Sequence, residues 1–370
     1  MVVDETPSEA SSNAPKSIRA EQWHLRFLKA IEAHRISQGD GVVVAVPDTG
    51  VDPHPDLRRN LRPGADIIPG GNGKGQQDRN SHGTGMAGLI AAHGQPHRTG
   101  ALGVSPHAKI LPILTSTPKG DEDPDKLAQG IEFAISQDVD IISISSSGAT
   151  SPRLNQAVGT ALASDIVVVA GAGNEPLEQS VGYPAREPAV LAVGGIDRSG
   201  RHADVSVSGP EVDLVAPAVD IYSTSINGKY RKGTGTSDAT AIVAGAAALV
   251  RSKHPDLPAA EVVHRLTATA VDKGPPGRDD EYGYGVIDLV AALTADVPPV
   301  GFGSATADAP AGSWPVTTAV AEPAGNDGGD GGATARGLAT LGVIVAAGGA
   351  WALVARRRRR GEDPPPRISR

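Results

Sequence analysis

Residues 42–50 read Val-Val-Val-Ala-Val-Pro-Asp-Thr-Gly, an apolar run closed by an acid, a hydroxyl and a glycine. A short, largely β-branched run without polar alternation is how a strand buried on both faces of a parallel sheet reads. Similar runs recur at 109–114, 140–144, 166–170 and 189–193, set off by Gly, Pro or Asp. Between them, residues 84–92, 126–137 and 155–164 have the length and composition of helices. This alternation predicts an α/β fold: a doubly wound, mostly parallel sheet with helices on both faces. Residues 238–253 are Ala-rich and apolar through Val250, which predicts a buried central helix, and 258–269 predict a more ordinary one. Upstream, Trp23, Leu25, Phe27, Leu28, Ile31 and Ile36 predict a helical stretch over 17–37, ended by Gly39-Asp40-Gly41.

The chain has 370 residues, enough for one large domain or two small ones. Its formal charge of −8 argues against a nucleic-acid partner, which would need a basic face to neutralise phosphates. That charge is unevenly spread, because residues 356–370 hold seven Arg against one Glu and one Asp. Zero cysteines exclude disulfide frameworks, thiolate metal sites and Cys nucleophiles. Apart from His54 and His82, the His residues show no metal-ligand spacing, so no metal site and no required cofactor are predicted.

Three motifs sit at element boundaries: Asp48-Thr49-Gly50 after the first strand, His82-Gly83-Thr84-Gly85 opening a helix after Ser81, and Gly235-Thr236-Ser237 ahead of the Ala-rich helix. Singly, each admits a structural role: a Ser before a helix is an N-cap, a His bonds its own backbone, an Asp caps a turn. Together they supply a nucleophile, a base and an orienter. A serine hydroxyl attacks poorly until an imidazole accepts its proton, and the imidazole needs a carboxylate to hold its tautomer. Ser237 at a helix N-terminus also places backbone N–H groups near the oxygen that turns anionic. Asn174, at the tip of the small-residue turn that follows the 166–170 strand, offers a further donor to that oxygen.

These motifs, with His54-Pro55-Asp56-Leu57 and the closing Tyr282-Gly283-Tyr284-Gly285-Val286-Ile287-Asp288, resemble the subtilisin-like serine peptidases (subtilases) over roughly residues 20–293. The resemblance implies a catalytic triad of Asp48, His82 and Ser237 with Asn174 as the oxyanion asparagine. It implies that Ser145, Ser146, Ser147 and Gly148 offer an edge to the substrate backbone. It also implies that Gly171, Ala172 and Gly173 floor the primary pocket. Asp238, where the family carries an apolar residue, is expected to cap its helix dipole, with raising the pKa of His82 as the alternative. The acidic run at 121–125 admits a structural calcium by the resemblance, and a helix-capping loop is the preferred reading.

Beyond residue 293 the composition changes. The expected organisation is a polar lead over 1–16, a catalytic domain over 17–293, an Ala/Pro/Gly/Asp-rich linker over 294–336, a transmembrane helix over 337–355 and an Arg-rich cytoplasmic tail over 356–370. Nineteen uncharged residues at 337–355 would span about 28 Å as a helix, close to the hydrocarbon thickness, and five Arg abut one end. A buried helix or an apolar linker is the alternative reading. Residues 1–14 are acidic and lack an apolar core, so no signal peptide is visible; a start codon placed too late is the first explanation and tail-anchored insertion the second.

A Trp-bearing N-terminal segment, a Pro-containing linker, one membrane helix and a basic tail are similar to the mycosins, membrane-anchored subtilases of type VII secretion in actinobacteria. The expectation is a single-pass cell-membrane serine endopeptidase with an extracytoplasmic catalytic domain. It would act on secreted polypeptides beside a type VII secretion membrane complex. The alternative is a pseudo-protease that serves as a structural subunit of that complex.

Overall fold

The computed structural model describes residues 15–300, which fall within one compact unit. The expected linker beyond 300, the membrane helix at 337–355 and the tail at 356–370 lie outside the described residues, as does most of the polar lead. Among the described residues no helix is long and apolar enough to cross a membrane.

Seven strands form the central sheet, in the order Ala65–Asp66, Lys109–Leu114, Val43–Asp48, Ile141–Ile144, Val167–Gly171, Leu191–Ile196 and Leu214–Pro217. Every pair in it is parallel, with Val44 beside Ile110 on one side and Ile141 on the other. Successive side chains alternate between two cores. Val44, Val46, Ile110, Val167, Val169 and Leu191 pack towards helices His82–Ala91 and Thr236–Lys253. Ala45, Leu111, Ile142, Ile144 and Val168 pack towards Pro124–Ser136 and Pro152–Ala163. Burial on both faces explains why these strands carry no polar alternation.

Helix Thr236–Lys253 is buried continuously from Ala239 to Val250. Its small residues let it lie close to its neighbours: a Cβ on Gly245 would stand 2.7 Å from Val104 Cβ. The chain leaves strand Val43–Asp48 first to one side of the sheet and then, through Ile141–Ile144, to the other. That reversal makes a topological switch point at the carboxyl ends of these two strands, where open α/β sheets place their sites.

Several boundaries differ from the sequence reading for identifiable reasons. The stretch over 17–37 is three short helices, Pro15–Glu21, Trp23–Phe27 and Ala30–Ala33. Its first break is tertiary: the Gln22 amide accepts from Leu102 N–H and donates to Leu102 C=O, both at 2.9 Å, while Trp23 donates to the Val219 carbonyl at 3.1 Å. Its second break is Lys29, in the left-handed region at φ 51°. Helices Pro124–Ser136 and Pro152–Ala163 start two or three residues early, because Asp123 and Ser151 cap them and Pro occupies the first turn. Strands Ala65–Asp66, only two residues long, and Leu214–Pro217, whose apolar run is closed by Pro217, were not anticipated.

His24 is fully buried, and neither ring nitrogen has a hydrogen-bond partner among the described residues. Burial, reinforced by Arg26, pushes its pKa down to about 3. A group whose folded pKa lies below its unfolded one costs stability as pH falls from the unfolded value near 6.5 towards the folded one. The penalty at pH 5 is about 2 kcal/mol at 1.36 kcal/mol per unit. Urea midpoints of the His24→Leu protein should therefore fall less between pH 8 and pH 5 than those of the unaltered chain; equal losses would contradict this.

Candidate active site

Asp48 ends its strand with its side chain 5% exposed. Its Oδ1 accepts the Thr49 N–H at 2.6 Å, and each carboxylate oxygen lies 2.9 Å from His82 Nδ1. His82 opens helix His82–Ala91 and keeps 29% of its side chain exposed. Close approach of this helix to the Asp48 loop explains the Gly of His-Gly-Thr-Gly. A Cβ on Gly83 would collide with the Gly50 carbonyl and stand 3.1 Å from Asp48 Oδ1. Gly50 in turn takes φ 92° and backs onto the Gln77 carbonyl, so only glycine fits there.

Ser81 is not the cap that its position suggests. It sits in the left-handed region and makes no side-chain cap bond. Asp78, which the sequence reading missed, does the capping. Its Oδ1 accepts from Asn80 N–H, Ser81 N–H and Thr49 Oγ1, and its Oδ2 from Thr84 N–H and Thr84 Oγ1. Thr49 Oγ1 also accepts the Gly83 N–H at 3.0 Å. One buried carboxylate thus ties the Asp48 loop to the helix that carries His82. Burial pushes the Asp78 carboxyl up, against the pull of these bonds.

Ser237 lies inside the first turn of Thr236–Lys253, with Gly235 as the N-cap residue. Its hydroxyl donates to the Ser145 carbonyl at 2.9 Å, and the Ser145 hydroxyl donates back to the Ser237 carbonyl at 3.2 Å. Asn174 meets the same turn: its Oδ1 accepts the Thr236 N–H at 2.9 Å. That bond consumes the amide oxygen and leaves Nδ2 as the donor end.

Of the expected pocket residues, Ser145, Ser146, Ser147 and Gly148 follow strand Ile141–Ile144 as a rim. Gly173 sits beside Ser147, whereas Gly171 backs onto Thr236 and Thr240 of the central helix, and Ala172 is fully buried. The acidic run serves as a cap, with Asp123 accepting the Asp125 N–H at 2.8 Å. Among the described residues no cluster of three or more His, Cys, Asp or Glu is placed to hold a metal ion. Glu122 was read only as part of that acidic run. Its carboxyl keeps a solvent-exposed face and accepts from Ser116 Oγ at 3.1 Å. Crowding by surrounding protein, helped by the Asp48 charge, pushes it up to about 7 against the opposing pull of Ser146, Ser116 and His82.

Residues 39–285 match the model of the subtilase family. The chain belongs to the subtilase family. It is 43% identical over 259 residues to subtilisin E of Bacillus subtilis, an alignment covering 69% of this chain and 66% of that relative. Among solved structures, MycP1 from Mycobacterium smegmatis shares 30% identity at a TM-score of 0.67, covering 78% of this subtilase and 89% of that chain. A structure of MycP1 from the ESX-1 type VII secretion system gives a TM-score of 0.68 at 30% identity, covering 78% and 89%. The subtilisin-like fold expected from the motifs is therefore the fold of this subtilase.

Burial pushes the His82 imidazole down, but Asp48, through its charge and hydrogen bond, outweighs it; Arg231 opposes and Asp238 adds, so the net shift is upward. Asp238 is buried in the first helical turn and shares with Arg231 the space over Gly233. It thus occupies the dipole-capping position and also acts on His82. A raised His82 loses its proton only above the ordinary value of 6.5. Removing the Asp238 charge removes one raising contribution. NMR titration of the His82 ring should accordingly show a midpoint above 6.5, moved to lower pH in Asp238→Asn; an unmoved or higher midpoint would contradict this.

Proposed function

We propose that this subtilase is a serine endopeptidase that hydrolyses polypeptides through an acyl-enzyme on Ser237. The observation that carries the reading is the Asp48–His82 pair, 2.9 Å apart, with Asp238 in the first turn of Thr236–Lys253 near enough to act on His82. A substrate backbone N–H that pairs with the Ser145 carbonyl displaces the Ser237 hydroxyl, which then turns towards His82. The Ser237 oxygen attacks the scissile carbonyl as its proton passes to His82 Nε2, while Asp48 holds Nδ1–H and stabilises the imidazolium. Asn174 Nδ2 and the first-turn amide of Ser237, at a helix end whose N–H groups lack intrahelical partners, receive the oxyanion. His82 then protonates the leaving amine, and water releases the acyl group by the same steps reversed.

The finer assignment is a membrane-anchored peptidase of secreted proteins linked to type VII secretion. It is supported by the likeness to MycP1 and by the charge-free run 337–355 followed by Arg356–Arg360 in the sequence. Five guanidinium groups favour keeping the carboxyl terminus cytoplasmic, which puts residues 17–293 outside.

One experiment tests both levels. A membrane-impermeant fluorophosphonate applied to intact cells should label this chain at Ser237 alone, and Ser237→Ala should abolish labelling and peptide hydrolysis. Labelling that persists in the variant contradicts the nucleophile. Labelling that requires cell lysis contradicts the extracytoplasmic placement. A chain that is never labelled, yet is needed for secretion, would be the pseudo-protease.

A further inference from the structure

We propose that Ser147 and Glu178 form a gate across the primary specificity pocket and restrict it to short side chains on the amino side of the scissile bond. The inference rests on the hydrolase reading and names the substrate class of that site.

On the hydrolase reading the pocket's rims are residues 145–148 and 173–174, with Gly171 and Ala172 buried. The walls are joined by backbone: Gly148 N–H donates to the Tyr183 carbonyl at 3.1 Å, and Tyr183 N–H donates back at 3.3 Å. Gly182, beside that pair, donates to the Ala172 carbonyl at 3.2 Å. The room left by the missing Gly182 side chain is taken by Ser147, whose Cβ lies 2.9 Å from where a Gly182 Cβ would stand. At the mouth, the Ser147 hydroxyl donates to Glu178 Oε1, and Glu178 Oε2 accepts the Asn174 N–H at 2.7 Å. Glu178 N–H donates to the Asn174 carbonyl at 3.1 Å, which holds the carboxylate in place. A Cβ on Gly173 would stand 2.5 Å from Glu178 Oε2, so the loop and the carboxylate are in direct contact.

One half-buried carboxylate therefore bridges both rims, and one serine side chain fills the space behind it. A long substrate side chain has to break a charge-assisted hydrogen bond, about twice as strong as a neutral one, and displace Ser147. Alanine or glycine needs neither. Both Glu178 oxygens already accept bonds within the protein, so the carboxylate is committed to the bridge and does not stand bare for a substrate cation. Misfit by a single methylene in such a pocket is worth about 10- to 200-fold in kcat/KM.

The test uses the full-length chain and peptides that differ only in carrying Ala, Leu, Phe or Lys before the scissile bond. The unaltered chain should cleave the Ala peptide with kcat/KM about tenfold or more above the others. Ser147→Gly and Glu178→Ala should each raise the Leu-to-Ala ratio about tenfold or more. Glu178→Gln, which can still bridge Ser147 and Asn174, should keep the preference for Ala. A Leu-to-Ala ratio unmoved in both opening variants would overturn the gate while leaving the hydrolase reading intact. So would a preference for Lys that disappears in Glu178→Gln, because the carboxylate would then be a cation receptor. No turnover of any peptide, together with no phosphonate labelling of Ser237, would sink the hydrolase reading and the gate with it.

Discussion

Close packing of the Ala-rich helix Thr236–Lys253 behind an all-parallel sheet sets the position of everything else in this molecule. The helix can lie against the sheet and against His82–Ala91 because its contact residues are small, as the approach of Gly245 to Val104 illustrates. Its direction brings its amino end out where strands Val43–Asp48 and Ile141–Ile144 finish. A serine in that first turn then stands bonded to Ser145 at the switch point, where one strand ends in Asp48 and the helix opened by His82 begins. A larger residue at Gly245 would push the helix away and move Ser237 relative to both partners.

Precision at the site comes from groups that touch no substrate. Asp78 gathers five donors from the Asp48 loop and the His82 helix, so that acid and base move as one body. The Thr236 N–H holds Asn174 Oδ1, which leaves Nδ2 as the donor end for the oxyanion role proposed for it. Donors fixed in advance are worth more at a developing charge than donors that must reorganise, which is why such supporting bonds matter to catalysis. Glu178 extends the same logic by anchoring the Asn174 backbone from the opposite side.

Much of this was legible in the sequence because the chemistry-bearing residues sit next to glycines whose backbones must approach closely. Asp48, His82, Ser237 and Asn174 each lie within two residues of a glycine that bends or admits a neighbouring chain. The buried strands were legible for a different reason: burial on both faces leaves an apolar run that no surface strand has. Asp78, Glu122 and Glu178 were illegible because each sits in a polar loop, where acids are ordinary, and acquires its role only from partners the fold brings in. The breaks at Gln22 and Lys29 were hidden likewise, since Gln22 bonds to Leu102, eighty residues away. Ser81 precedes its helix without capping it, because Asp78 takes that place.

The central claim is that Asp48, His82, Ser237 and Asn174 act on one carbonyl. A crystal structure of the chain inactivated with a peptidyl phosphonate tests it most directly. The account predicts phosphorus bonded to Ser237 Oγ and the Ser237–Ser145 hydrogen bond broken. It also predicts a phosphoryl oxygen within about 2.7–3.1 Å of Asn174 Nδ2, with His82 Nδ1 still on Asp48. Phosphorus on any other residue, or an Asn174 amide released from Thr236 and turned away from the adduct, would contradict it.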